Sequence, residues 1–316
     1  MDNQGAVSGG FRRSKKSILW RDIKSARWLY VMLLPVVIHM FVFRYGPMYG
    51  IQIAFKDFRL GSGIWGSSWV GLKHFRRLFN SPDFMLILRN SIMINVYQLV
   101  FTFPVPIILA LLLNEIRRVR FKRAAQTLMY LPHFVSWVII GGMLIEMLSP
   151  SSGVINQIIK RLGFDPIYFM ADKFWWQVMF VVSTIWKGAG WGTIIYLAAI
   201  AGVNVELYEA ARIDGAGRFK QALNVTLPAI MPTVSLLLIM RMADMMDVSF
   251  EHVYMLTNTY VRSVSDVFST YTFRMGIERM EYSYTSAIGL FQTGVNFVLL
   301  MFANNMSRRL GGSTML

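Results

Sequence analysis

Six apolar runs divide this sequence, near 28–43, 91–114, 127–148, 174–202, 229–250 and 285–306. They bracket the roughly twenty residues that a helix needs to cross about 30 Å of hydrocarbon. No water in a bilayer satisfies a backbone N–H or C=O, so runs of this kind fold as helices that close their hydrogen bonds internally. The expectation is an all-α, polytopic membrane protein with six transmembrane helices. Composition agrees, because 55% of the 316 residues are hydrophobic, only 16% are charged and the mean hydropathy is +0.45. That is too apolar for a soluble domain of this length. A polar leader of 27 residues precedes the first run, and Arg44, Tyr45, Gly46 and Pro47 follow it without a small-residue cleavage site, so it is expected to stay as an anchor rather than leave as a signal. In the fourth run, Lys187 stands among Gly188, Gly190 and Gly192, which predicts a kink or local break there.

The net charge of +15 resides in the gaps between these runs, not on one face, so it argues for membrane orientation and against a nucleic-acid partner. With the N-terminus inside, segments 1–27, 115–126, 203–228 and 307–316 hold 17 Lys and Arg over 75 residues, against 13 over 106 on the other side. The twofold bias in density predicts both termini in the cytoplasm. The compact run Arg117, Arg118, Arg120, Lys122, Arg123 contributes most to it. The expected organisation is a basic cytoplasmic segment over 1–27, a transmembrane domain over 28–307 and a short tail over 308–316. Leu19, Ile23 and Ala26 fall at helical spacing among basic residues, which suits an interfacial helix on anionic lipid, and a disordered basic tail is an equal alternative. Leu72, Phe75, Leu78 and Phe79 beside Lys73, Arg76 and Arg77 predict a short amphipathic helix in the first outer loop.

The chain lacks Cys, which removes thiolate chemistry and Cys-ligated metals. It has no Gly-x-x-x-x-Gly-Lys-Ser/Thr phosphate cradle, and Gly188-Ala-Gly-Trp-Gly192 lies inside an apolar run, outside the strand–turn–helix context that a phosphate loop needs. His39, His74, His133 and His252 are scattered without metal spacing. No catalytic residue, metal site or bound cofactor is therefore expected. A self-sufficient ion-coupled carrier or a membrane-embedded enzyme is the alternative class, although no paired carboxylates suited to hydrolysis are evident.

Between the fourth and fifth runs lies a polar but ordered-looking stretch, 204–228. Asn204 can cap a helix with Glu206 in its first turn, and Gly215 can adopt the left-handed backbone that ends it. A second short helix follows Gly217. Leu207, Ala210 and Ala211 share one side, leaving Glu209, Arg212 and Asp214 for a partner. Glu209-Ala210-Ala211, three residues, Gly215, nine residues and then Val225-Thr226-Leu227-Pro228 resemble the EAA loop of binding-protein-dependent ABC importer permeases, with Val225 where Ile is usual. Gly71-Leu72 through Phe75, Leu78-Phe79, Pro82, Phe84, Asn90-Ser91, then Gly153, Asn156 and Gly163, and Tyr284 to Gly289, extend the similarity to the carbohydrate-importing branch. Thr257-Asn258-Thr259-Tyr260-Val261 replaces a Thr-Gly-Gly-x-Pro turn carried by many of its members. That turn and the long basic outer loop are most similar to importers of uronate-containing oligosaccharides, such as alginate or pectin fragments. The resemblance implies a type I importer fold in the bacterial cytoplasmic membrane. It also implies a coupling helix seated on an ATPase, with Glu209 facing a basic group there. The implied partners are a second permease, two ATPase subunits that hold ATP and Mg, an extracytoplasmic solute-binding protein and membrane lipid.

Ionisable residues inside the apolar runs are the candidate pathway, since a lone charge at the bilayer centre costs about 2.5–3.5 kcal/mol on insertion scales. Arg241, Asp244 and Asp247 recur at i, i+3, i+6, so Arg241 and Asp244 are expected to pair along one helix face. An internal ion pair or a contact to the partner permease explains them equally well. Lys187, Asn95 and Gln98 are expected to join that face, with Trp137, Trp186 and Trp191 available to stack on sugar rings.

Overall fold

A computed structural model describes residues 25–309 of the chain, in two compact units divided after Gln52. The expectation for the basic segment 1–27 therefore lies almost wholly outside the described residues, as does most of the tail 308–316. In the first unit, α1 (Arg27–Met40) continues through a π-turn, Phe41–Tyr45, into a 3-10 segment, Gly46–Phe55, that ends just inside the second. Nothing on α1 is buried within its own unit.

The second unit opens with a two-residue antiparallel ribbon, β1 (Lys56–Asp57) and β2 (Ser68–Trp69). The amphipathic helix expected in the first outer loop is α2 (Lys73–Phe79), which buries Leu78 and His74 and exposes Phe79. Next come α3 (Phe84–Tyr97) and α4 (Pro104–Asn114), joined by a π-turn at Gln98–Thr102 into one 31-residue span. The wider turn lets Phe103 N–H reach the Gln98 carbonyl at 3.0 Å, so Pro104 and Pro106 enter without breaking the span.

The third apolar run does not cross as one straight helix. It forms α5 (Val119–Tyr130), extended as a 3-10 turn to Phe134, and α6 (Trp137–Met147), and the two halves meet at 97°. A short α7 (Val154–Arg161) follows, its Asn156 side chain holding the Leu148 and Ile167 carbonyls. Conversely, the fourth run is not broken: α8 (Lys173–Ala201) is a continuous 29-residue helix through Lys187 and all three glycines. Its glycines serve close packing instead. A Cβ on Gly190 would fall 2.0 Å from the Met129 carbonyl oxygen on α5, and one on Gly192 would fall 2.9 Å from Pro106 Cγ on α4. Small residues that let backbones approach are a recurrent solution for packing helices in lipid.

After α8 come α9 (Val205–Ile213), α10 (Arg218–Gln221), a π-turn at Ala222–Thr226 and α11 (Leu227–Ala243). From Arg218 to Ala243 these form one span, which ends earlier than the expected residue 250. Short helices α12 (Phe250–Leu256) and α13 (Phe268–Phe273) fill the next connection, and α14 (Tyr282–Arg309) is the last helix described. Among the described residues, five helices are long and apolar enough to cross a membrane, and the bent pair makes a sixth crossing if counted as one. Leu78, Phe268, Tyr271 and Ile288 close one cluster of the second unit around α2 and α14; Trp176, Phe180 and Val253 close another; Ala110, Tyr196 and Ile230 close a third between α4, α8 and α11.

Candidate functional site

The stretch 204–228 folds as two short helices around a tight turn. Asn204 caps α9, its Oδ1 accepting from Glu206 N–H at 3.0 Å while its Nδ2 donates to the Glu206 carboxylate at 3.1 Å. The helix ends at Gly215 with φ +77°, where Gly215 N–H reaches the Arg212 carbonyl at 3.0 Å and Ala216 N–H the Ala211 carbonyl at 2.8 Å. Such a left-handed ending is open to Gly and strained for any residue with a Cβ. Gly217 starts α10, and Gln221 Nε2 closes back on the Ala216 carbonyl at 2.7 Å. Two further ties fix the knob to the spans: Tyr208 Oη to Thr226 Oγ1 at 2.9 Å, and Arg218 to Glu115 at 3.7 Å. What the knob leaves exposed is apolar as well as charged. Ile213 is 87% and Phe219 76% exposed, beside exposed Glu209, Ala210, Arg212 and Asp214; Ala211 and Leu227 are half-buried, and Pro228 opens the first turn of α11.

The intramembrane polar residues fall into three separate groups. Arg241 does not pair with Asp244, because α11 ends at Ala243 and Asp244 lies in the turn beyond it. Arg241 donates instead across to α3, to Asn95 Oδ1 at 3.0 Å and to Gln98 Oε1. Asn95, buried, donates in turn to the Ser91 carbonyl at 3.0 Å. Gln98 heads the π-turn, so the bulge presents its amide to the fifth span. Lys187 belongs elsewhere: it donates to the carbonyls of His133, at 2.9 Å, and Val135, which the break between α5 and α6 frees from helix bonding, and it lies 5.3 Å above the Trp137 ring. A cation there also matches the negative end of the α5 dipole. Exposed Asp247 accepts from Asn296 Nδ2 on α14 at 2.9 Å.

Residue pattern alone did not single out the group around His252. Its ring stacks on Trp137 at 3.6 Å and on Phe180 at 4.0 Å, and its Nε2 meets Ser183 Oγ at 2.9 Å, so α12 is pinned to α6 and α8. Burial, and then the Lys187 charge, push this imidazole down to about 3. Trp191 stacks on His133 at 4.5 Å, and Trp186 is half exposed. Equally unannounced was Asp266, 3% exposed, whose Oδ2 accepts from Arg274 at 2.7 Å while Asn90 Nδ2 donates to its main-chain carbonyl at 3.0 Å. Composition signals neither, since each depends on contacts far apart in the chain.

An exposed helical knob thus continues into a membrane span, and residues 102–312 match the family described as binding-protein-dependent transport system inner membrane component. The chain belongs to this family. Within it, the polygalacturonan/rhamnogalacturonan transport system permease protein YteP of Bacillus subtilis (strain 168) is 44% identical over 95% of this chain and 94% of its own. Protein LplB of the same organism is 45% identical over 93% of each. In three dimensions the chain is similar to a chain of a bacterial ABC transporter involved in import of the acidic polysaccharide alginate, with TM-score 0.84 and 41% identity over 92% of this chain and 98% of the other. A chain of a bacterial alginate ABC transporter, solved in complex with an alginate pentasaccharide-bound periplasmic protein, gives 0.85 and 40% over 94% and 99%. This protein is thus a multi-pass permease of the ABC importer class, as the EAA-like spacing implied.

Proposed function

We propose that this permease forms half of the translocation pathway for an acidic oligosaccharide and receives its driving force through 204–228 from a separate ATPase subunit. The observation that carries the proposal is mechanical: one helical rod runs from Arg218, at the exposed knob, to Ala243 at the far end of the fifth span. The π-turn at Ala222–Thr226 seats Pro228 without a gap in that rod. Displacement of α9 by a partner therefore moves the span that bears Arg241. Glu209, Arg212 and Asp214 supply charge for the docking, and Ile213 and Phe219 supply apolar anchors.

The assembly would hold a second permease, two ATPases carrying ATP and Mg, and an extracytoplasmic solute-binding protein. The chain itself lacks a phosphate cradle. Both termini would lie in the cytoplasm, the side that the charge bias favours. Acidic cargo is supported by the acidic polysaccharides that the relatives transport and by Arg241, whose guanidinium has donors beyond those given to Asn95 and Gln98. Asp244 and Asp247 would sit past the helix end, at the mouth of the same pathway. Lys187 would act as its structural wall, holding the bend of the third segment.

The test is uptake by the assembled importer with Glu209→Lys and Gly215→Pro. Proline fixes φ near −65°, incompatible with +77° at residue 215. Both variants should insert normally yet lose uptake and ATPase co-purification. Unchanged uptake would overturn the coupling assignment.

A further inference from the structure

Between α11, which ends at Ala243, and α12, which starts at Phe250, residues 244–249 are not helical. Three neighbours fix their depth. Just before them, Arg241 meets Asn95 and Gln98; within them, Met246 and Asp247 meet Gln292 and Asn296; just after them, His252 meets Ser183. Each of those partners lies ten to fourteen residues from the start of its span, at Phe84, Tyr282 or Lys173, and these second, sixth and fourth spans enter from one side. At about 1.5 Å per residue, 244–249 lie about 15–21 Å below the ends of helices that are long enough to cross. The chain leaves helical geometry inside the bilayer.

Backbone that leaves a helix at this depth keeps its hydrogen bonds only where protein or enclosed water supplies them. Here α14 supplies them. Asn296 Oδ1 accepts from Met246 N–H at 2.9 Å, Gln292 Nε2 donates to the Met246 carbonyl at 3.3 Å, and Asn296 Nδ2 donates to the Asp247 carboxylate at 2.9 Å. Residues four apart share a helix face, so one pair of amides takes both main-chain groups of Met246. The side chains of the break then divide: Met246 and Val248 are buried, whereas Asp244, Asp247 and Ser249 are exposed. Two exposed carboxylates at this depth face water or protein, not hydrocarbon. Beyond the break, α12 is fixed to α6 and α8: a Cβ on Gly141 would fall 2.8 Å from Met255 Cβ, and Trp176 Nε1 donates to the Leu256 carbonyl at 2.9 Å. The exposed edge is therefore held from both ends and from α14.

We propose that 244–249 borders a water-filled passage within the membrane, with Asp244, Asp247 and Ser249 on its wall, and that Asn296 and Gln292 are the positioning residues that hold that wall in place. The proposal rests on the reading that this chain forms half of a passage. It does not depend on the identity of the cargo or on the role of 204–228.

The chain contains no Cys, so a single introduced cysteine is the only thiol of this subunit. The complete importer, assembled with Cys-free partner subunits in nanodiscs, is treated with and without ATP with a charged maleimide that stays in water and, separately, with a lipid-soluble one. ATP hydrolysis by each sample reports that the complex is intact. The charged reagent should label Asp244→Cys, Asp247→Cys and Ser249→Cys severalfold faster than Met246→Cys and Val248→Cys. Arg241→Cys reports on the passage itself: labelling at 241 with none at 244, 247 and 249 overturns this proposal and leaves the passage standing, and no labelling at any of the four overturns both. Reaction at 244, 247 and 249 with the lipid-soluble reagent alone would place them against lipid and refute it too. For the positioning role, Asn296→Leu should erase the alternation, raising labelling at 246 and 248 severalfold, and Asn296→Asp should do the same by setting a second carboxylate against Asp247. In Asn296→Asp/Asp247→Asn the acid and the amide change places, both of the bonds made by residue 296 can form again, and the alternation should return. An Asn296→Leu importer that keeps the alternation, or an exchange that fails to restore it, would show that Asn296 does not position the break.

Discussion

Replacing Gly190 by Ala adds one methyl group where the structure has no room for it. The new Cβ would lie 2.0 Å from the Met129 carbonyl oxygen and 2.5 Å from its carbon, and both are backbone atoms that cannot rotate away. Relief to an ordinary contact requires α5 to move off α8 by about 1 Å or more, against overpacking costs of about 1–3 kcal/mol. Alanine recovers about 1 kcal/mol of helix propensity, so the net loss is about 0–2 kcal/mol, with the strain directed at the bend that Lys187 holds. Gly188 provides the control, because a Cβ there meets nothing within 4 Å, and Gly188→Ala should be neutral or stabilising by up to about 1 kcal/mol. Thermal unfolding of the purified importer, read by tryptophan fluorescence, measures both. Gly190→Ala should unfold at lower temperature than wild type and Gly188→Ala at the same temperature or higher. Equal behaviour of the two variants would refute the close-packing account and restore the view that these glycines serve helix flexibility.

Two further outcomes are expected. Arg241→Ala should slow uptake severalfold while ATPase subunits still co-purify, since it removes a cation facing Asn95 and Gln98 without touching the knob; loss of assembly would make it a structural residue only. His252, held neutral with its pKa at about 3, should contribute stability that is intact above pH 6.5 and lost as pH falls below it, because the unfolded chain then takes up a proton that the folded one refuses. The limiting slope is about 1.4 kcal/mol per pH unit, and the wild-type pH profile between 4 and 6.5 should flatten in His252→Gln.

The membrane class and the local fold of 204–228 were legible because each depends on local pattern: hydrophobic length for the spans, and cap and turn for the two short helices. The lateral relations were not. Glycines around Lys187 were expected to break the fourth span, whereas the break lies in the third, at Phe134–Ser136, where no glycine stands; what the glycines meet is a neighbour fifty to ninety residues away. Arg241 was expected to pair along its own helix with Asp244, but α11 ends at Ala243, and the π-turn at Gln98 brings a partner from another span. Helical spacing cannot register either event, since one depends on a carbonyl across an interface and the other on a local departure from 3.6 residues per turn.

The central claim is that the exposed knob is where a separate ATPase grips this chain. A photo-crosslinking amino acid at Ile213, 87% exposed at the tip of α9, tests it directly in the assembled importer. The expected product on illumination is a covalent adduct with the ATPase subunit, formed in intact membranes and lost with Glu209→Lys. An assembled, transporting complex that gives no adduct at position 213, or an adduct only with lipid, would contradict the account.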